Sequence, residues 1–220
     1  MCGRFAFYSP HQAVTDIFGV EFPLAIEPRF NIAPSQFIVV LRTGTQGRLE
    51  PAVLKWGLIP SWAKDPRIGN RMINARAETV HEKPSFRAAF KRRRCVIIAD
   101  GFYEWRKDGG GKTPYFISMQ NDAPFAMAGL WEYWQGEDGV ELETCTIITT
   151  ASNDVMLPLH HRMPVILSPA KAAHWSGSEC DRADTAHAVL DDWQNDGLKY
   201  RAVGRAVNNP RNDGPELLEK

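Results

Sequence analysis

Cys95-Val96-Ile97-Ile98-Ala99-Asp100-Gly101-Phe102-Tyr103-Glu104-Trp105 leads into Lys107-Asp108-Gly109-Gly110-Gly111, and a further apolar run follows from Tyr115 to Met119. Short runs of β-branched and aromatic residues, interrupted by a Gly/Asp cluster, predict strands joined by a hairpin turn. The same pattern extends outward. Phe37-Ile38-Val39-Val40-Leu41, Phe125 to Leu130, Thr144 to Thr150 and Val165-Ile166-Leu167 all read as strands. Helix signals are few. Ser9-Pro10 reads as an N-cap with a first-turn proline, Ala13, Val14, Ile17 and Phe18 share one face, and Gly19 ends the segment. Ser168-Pro169 repeats the signature ahead of Ala170 to Trp175, and shorter helices are expected at Ser85 to Lys91 and Thr185 to Leu190. No repeat or low-complexity linker divides the chain. The expectation is a single α+β domain over residues 1–220, built on a curved, mostly antiparallel sheet with a barrel-like core.

The 220 residues suffice for one large core, and 44% hydrophobic with 24% charged residues is ordinary for a globular enzyme. Lys and Arg together number 26, as do Asp and Glu, so any anion site must arise from local clustering. Apolar runs such as Val96-Ile97-Ile98-Ala99 are too short to span a bilayer, and the N-terminus lacks a basic-then-apolar signal pattern. Cysteines at 2, 95, 145 and 180 form no C-x-x-C pair. They predict neither a disulfide framework nor a zinc site, and a reducing cytoplasm is the simplest location. Cys95 and Cys145 lie in strand-like runs and read as small buried hydrophobes.

Cys2 stands apart, directly behind the initiator in Met1-Cys2-Gly3-Arg4-Phe5. With Met1 removed, the chain begins with a 1,2-aminothiol. An α-amine with a pKa near 7.7–8.0 is up to roughly a fifth free base at neutral pH, against fewer than about one lysine in a thousand. It can add to an aldehyde to give an imine, on which the neighbouring thiol can close a five-membered thiazolidine that resists hydrolysis. Cysteine at position 2 is also compatible with no function at all.

Other segments carry more polar detail than a core needs. Glu104 lies between Tyr103 and Trp105, a setting that can desolvate it toward general-acid use, or it pairs with an arginine. In Leu159-His160-His161-Arg162-Met163-Pro164 a loop-borne histidine suits acid/base work, whereas adjacent histidines are badly spaced for one metal ion. In Ile73-Asn74-Ala75-Arg76-Ala77-Glu78-Thr79, extended backbone would put Asn74 and Arg76 on one side, either for a polar anionic substrate or for an edge-strand hydrogen-bond network. Lys91-Arg92-Arg93-Arg94 reads as a solvated face or as a patch that steers a polyanion. Trp56, Trp105 and Trp131 can be core, while Trp62 in Pro60-Ser61-Trp62-Ala63-Lys64-Asp65 looks loop-borne and available to stack on a base.

Taken together, Met1–Phe5, Asn31-Ile32-Ala33-Pro34, Trp56-Gly57-Leu58-Ile59-Pro60-Ser61-Trp62, Asn74–Thr79, Ala99–Trp105, Ile147–Ala151, His160–Pro164 and Ala206-Val207-Asn208-Asn209 resemble, in order, the SOS-response-associated peptidase family, whose SRAP domain processes abasic sites in DNA. The resemblance implies removal of Met1 and attack of Cys2 on the ring-opened aldehyde of an abasic site in single-stranded DNA, leaving a thiazolidine crosslink. It implies that Glu104 moves protons, that His160 helps open the sugar ring, and that Asn74 orients the sugar. Arg4, Arg76 and Arg162 would hold flanking phosphates, Asn31 would join the DNA contacts, and Trp62 would stack beside the lesion. Reversal of the crosslink and a weak strand-cleaving lyase activity are implied side paths. The partner is single-stranded DNA bearing abasic sites, met by a cytoplasmic monomer without metal, other cofactor or membrane. Some members carry two adjacent tryptophans where this chain has Trp62-Ala63, which reduces the stacking platform to one ring. No C-terminal extension for replication-factor docking is implied; the likeness is to the compact bacterial form. Two other readings remain: an N-terminal-nucleophile amidase, with the α-amine of Cys2 as base, and a DNA reader that makes no use of Cys2.

Overall fold

The Asp108-Gly109-Gly110-Gly111 segment makes the hairpin turn: in the computed structural model Asp108 pairs with Gly111, closing a tight loop between two long strands. The structure describes residues 2–22, 26–44, 46–177, 183–191 and 197–220, so Met1 and Cys180 lie outside the described residues. In chain order the first elements are β1 (Phe5–Phe7), α1 (His11–Phe18), β2 (Arg29–Ile32), β3 (Phe37–Thr43) and β4 (Leu49–Trp56). Next come β5 (Asn74–Arg76), α2 (Arg87–Arg92), β6 (Arg94–Ala99), β7 (Gly101–Asp108) and β8 (Gly111–Met119). The remainder are β9 (Phe125–Gln135), β10 (Glu141–Ala151), β11 (Arg162–Pro164), β12 (Ile166–Leu167), α3 (Pro169–Ser176), α4 (Ala183–Asp191) and β13 (Leu198–Ala202).

β10, β4, β3, β6 and β9 pair in that order, and β9 returns to pair with β10, so the strands close into a small barrel. Closure removes exposed edges. β10 is long enough to share each edge between two partners. On one side β4 runs parallel to Thr144 and Cys145, and β5 takes over at Ile147 to Thr149. On the other side β9 gives way to β11. These two parallel pairings are the departures from an otherwise antiparallel arrangement. A second sheet, in the order β13-β8-β7-β1-β2, lies beside the barrel. One continuous apolar cluster, from Phe5 and Phe102 to Ile147, Trp175 and Leu198, joins the two sheets into a single α+β domain.

Two of the three helix-terminus signals held, and the third failed for a definable reason. Ser168 caps α3 by accepting from the Lys171 N–H, and Gly19 closes α1 in the left-handed conformation. Ser9 does not cap α1; its hydroxyl donates to the Asp100 carboxylate instead. That carboxylate also accepts from the backbone N–H groups of Tyr8 (2.5 Å) and Ser9 (2.8 Å). The basic run 91–94 is not uniformly solvated. Arg94 is buried, donating to the carbonyls of Trp175 and Phe90, and Arg93 pairs with buried Glu132 at 2.7 Å.

Gly101 sits where the chain passes from the barrel into the second sheet and lies opposite Ala6 of β1. A Cβ there would collide with the Phe116 ring and sit 2.6 Å from the Ile117 carbonyl oxygen, which is backbone and cannot swing away. Gly101→Ala is therefore expected to lose about 1–3 kcal/mol by chemical denaturation, in the range of core overpacking. An unchanged midpoint would show that β7 and β8 separate without cost.

Candidate active site

β1 is the device that carries the chain end inward. Phe5 pairs with Phe102 and Ala6 with Gly101, and the Tyr103 N–H donates to the Arg4 carbonyl at 2.9 Å. Continuing that antiparallel register past Arg4 runs Gly3 and Cys2 toward Glu104. Cys2 is completely buried in the main apolar cluster. Its backbone carbonyl accepts from the Asn74 amide Nδ2 at 2.8 Å. Burial, reinforced by the charge of Glu104, pushes the Cys2 thiol well above its ordinary pKa, so the sulfur is held as the thiol.

Glu104 is buried on β7, but not by its sequence neighbours. Tyr103 faces a separate small cluster with Ala6, Phe116, Val203 and Val207, against which Trp105 also packs. Strand alternation turns Glu104 to the other face, with Phe102 and the main core. The Glu104 charge acts on Cys2 and on His160 alike, which brings the three groups together.

His160 sits in the loop before β11. Its Nδ1 lies within hydrogen-bond reach of both the backbone N–H (2.9 Å) and the carbonyl oxygen (3.1 Å) of Arg162, which fix the ring's orientation and leave Nε2 as the other ring nitrogen. Burial lowers the His160 pKa from its ordinary value, partly offset by the carboxylate of Glu104, so the neutral ring is the resting form at neutral pH. Asn74 opens β5 beside Ile147 of β10, and its Oδ1 is a buried acceptor with no hydrogen-bond partner. With Nδ2 committed to Cys2, that oxygen is the one polar atom of the amide left for something else.

The arginines divide. Arg162 is largely buried and makes a bidentate ion pair with Glu78 (2.5 and 2.9 Å) and a 2.6 Å bond to the Thr149 carbonyl. Arg162 in turn holds the Glu78 carboxyl below its usual range. Glu78 was quoted in the motif but given no role, because nothing local announces a partner 84 residues away. Arg4 is half-buried, its Nη1 donating to Asn31 Oδ1 (2.7 Å) and to the Val207 carbonyl (2.8 Å), with its guanidinium 5.8 Å from the Trp105 ring centre. Asn31, expected among the DNA contacts, is wholly buried; its Nδ2 points at the carbonyls of Val207, Asn209 and Asn212 and braces the C-terminal segment. Arg76 and Trp62 face outward, Trp62 with 58% of its surface exposed. The roles expected for residues 206–209 were blank, and here the Val207 carbonyl orients Arg4 while Asn208 accepts from the Trp105 indole at 2.7 Å.

Among the described residues no cluster of His, Cys, Asp and Glu is arranged to hold a metal ion, and no helix is long and apolar enough to cross a membrane.

The sequence and the fold both have relatives. The chain is 43% identical over 224 residues to the abasic site processing protein YoaM of Bacillus subtilis, covering all of this chain and 98% of that one. It is 31% identical over 231 residues to the abasic site processing protein YedK of Escherichia coli, covering 100% and 99%. A crystal structure of a protein from Bacteroides thetaiotaomicron superposes with a TM-score of 0.87 at 25% identity, over 100% of this chain and 99% of that one. The family model for SOS response associated peptidase matches residues 1–210. This chain, with Cys2 bonded through its carbonyl to Asn74 and lying within the field of Glu104, belongs to the SRAP family.

Proposed function

We propose that this protein processes abasic sites in single-stranded DNA by capturing the lesion covalently on Cys2 after Met1 is removed. The observation that carries the reading is the setting of Cys2: its carbonyl held by Asn74, its thiol under the field of Glu104, and a neutral His160 in the same field. While Met1 is attached, the nitrogen of Cys2 is an amide and has no nucleophilic lone pair, so processing must precede reaction. Removal by the protein itself or by an aminopeptidase leaves the same chemistry to follow.

The α-amine of Cys2 then adds to the open-chain aldehyde, and loss of one water gives the imine. The thiol adds across the C=N bond: a C–S bond forms, and the sulfur's proton passes through Glu104 to the nitrogen. Because burial and Glu104 hold the sulfur as a thiol, ring closure needs a base at hand, and the carboxylate is that base. His160 exchanges a proton with the sugar oxygens during ring opening through Nε2, the ring nitrogen not held by Arg162, and the free Oδ1 of Asn74 accepts from a sugar hydroxyl. The same imine acidifies the adjacent carbon, so slow elimination of the 3′ phosphate, and reversal of the crosslink, are expected side paths. No step calls for a metal or redox cofactor. The protein is expected to act as a cytoplasmic monomer.

Mixing Met1-free protein with a single-stranded oligonucleotide bearing one abasic site should give a denaturation-stable adduct at the summed mass less one water. Cys2→Ala keeps an α-amine and should give only an imine, visible after borohydride reduction. No adduct from a chain verified to begin at Cys2 would overturn crosslinking in favour of amide hydrolysis. Glu104→Gln is expected to slow adduct formation by roughly a hundredfold or more, the usual weight of a positioned acid/base. A rate within twofold of the parent would remove Glu104 from the proton path.

The arginine geometry also changes the expected salt dependence. Arg162 spends its charge on Glu78, and Arg4 has Nη1 committed internally, which leaves Arg76 as the exposed cation of the three. Arg76→Ala should flatten the log–log salt slope of single-strand binding by about 0.7. Arg162→Ala should leave that slope unchanged and reduce the adduct rate, because it releases the His160 loop. Equal slope changes in both variants would put a phosphate on Arg162 after all.

A further inference from the structure

Residues 57–73, between β4 and β5, carry Trp62 away from the barrel and are fastened at two places. At the base, the Gly57 N–H donates to the Cys145 carbonyl (2.8 Å) and the Leu58 N–H to the Met72 carbonyl (3.2 Å). Gly57 and Gly69 meet backbone to backbone: a Cβ on Gly57 would lie 2.7 Å from the Gly69 oxygen, and one on Gly69 2.6 Å from the Gly57 oxygen. The outer fastening is chemically different. Ile59, Ala63 and Trp134 form a small apolar cluster of their own, flanked by Ile68 and Leu142. Trp134 is 4% exposed and its indole N–H donates to the Ala63 carbonyl at 2.6 Å.

Trp134 reaches that carbonyl because β9 and β10 outrun the barrel. β6 covers β9 only as far as Leu130, whereas the β9–β10 pairing continues from Trp131 opposite Cys145 to Gln135 opposite Glu141, with Trp134 opposite Leu142. The overhang lies against the underside of the loop. One residue away, Trp62 points outward and is the most exposed tryptophan among the large exposed hydrophobics. Ala63 is buried against this support, so the space beside Trp62 is filled from below by Trp134, not by a second loop tryptophan.

We propose that Trp134 is a positioning residue for DNA: its buried indole fixes the Ala63 peptide and so aims the Trp62 ring at a base beside the lesion. This rests on the reading that Trp62 contacts DNA. An exposed ring on an unsupported loop would have to be ordered at the moment of binding, at a cost in affinity. With the neighbouring carbonyl pinned, that ordering is already done when the strand arrives. The role lies in binding and not in the covalent step, since Trp134 belongs to the loop's own cluster and not to the one that holds Cys2.

Trp134→Phe keeps a ring in the cluster and deletes the N–H. Binding of a lesion-free single-stranded oligonucleotide should weaken roughly threefold to tenfold, the worth of one such hydrogen bond. The crosslinking rate of Met1-free protein at saturating abasic-site DNA should stay within twofold, so the loss appears in the half-saturating concentration alone. Trp62→Ala should weaken the same binding by about tenfold. The double variant Trp62→Ala/Trp134→Phe should bind no more weakly than Trp62→Ala, because without the ring there is nothing to aim. Full affinity in Trp134→Phe, or losses that simply multiply in the double variant, would overturn the role of Trp134. A Trp62→Ala variant with parental affinity would overturn instead the assignment of Trp62 to DNA.

Discussion

A nucleophile at the end of a chain is held by one covalent connection, and chain ends fray. The pairing of β1 with β7 is what removes that freedom here. It is short, with Phe5 opposite Phe102 and Ala6 opposite Gly101, but it is locked at both ends. The Tyr103 N–H bonds to the Arg4 carbonyl on the side toward Cys2, and the Asp100 N–H to the Ala6 carbonyl on the other. Beyond it the Asp100 carboxylate gathers the backbone of Tyr8 and Ser9. Asp100 is itself buried, and burial raises its pKa while the hydrogen bonds from Ser9 and Tyr8 pull the other way. A buried carboxylate without those donors would be destabilising, so strand placement and the satisfaction of Asp100 depend on each other. Everything proposed for Cys2 follows from where this pairing leaves it.

The second organising feature is how the interior handles charge. Glu104, Arg162, Asp100 and Arg94 are all buried, and the arginines among them are answered chiefly by backbone carbonyls and single carboxylates. Arg162 is the clearest case. Its guanidinium bridges Glu78 to the Thr149 carbonyl, and its own backbone holds the His160 ring two residues earlier through Nδ1. The guanidinium therefore braces the segment that carries His160. The pair is one-sided: removing Glu78 would leave a largely buried guanidinium with only the Thr149 side, whereas removing Arg162 would leave a half-exposed carboxylate that water can solvate.

Much of the fold was legible because β-patterning is local. The strands at 37–41, 95–99, 115–119, 125–130 and 144–150 fall within observed strands, and the glycine-rich turn closes the expected hairpin. Barrel closure was only partly legible, since the β9–β10 and β10–β4 pairings depend on which edges meet. Ser9 shows the limit of a local rule. Its N-cap signature is sound, but a buried carboxylate distant in sequence competes for the same hydroxyl and wins. For Glu104, burial was expected from Tyr103 and Trp105, yet strand alternation sends those rings to the opposite face. Asn31 and Arg162 have internal partners that the sequence did not announce, for a common reason: residue type tells what a side chain can bind, while burial decides what it meets. Cys2, Asn74, Glu104 and His160 were gathered in sequence only by resemblance, because their convergence spans two sheets and a loop.

That convergence makes physical sense of a reactive group placed at a terminus. The proposed trap needs an amine with a low pKa and a thiol on the next carbon, and only the first residue of a chain offers both. It must also hold them near the aldehyde carbon long enough for two successive bond formations. Fixing both groups in one geometry is where effective concentration comes from, and it is lost if the end is free to move. A buried Cys2 with its carbonyl pinned by Asn74 meets that requirement at the level of the backbone, leaving amine and sulfur as the variables. Raising the thiol's pKa then has a consequence beyond desolvation. In the reaction proposed above, a sulfur held as the thiol would join after the amine, once Glu104 has taken its proton.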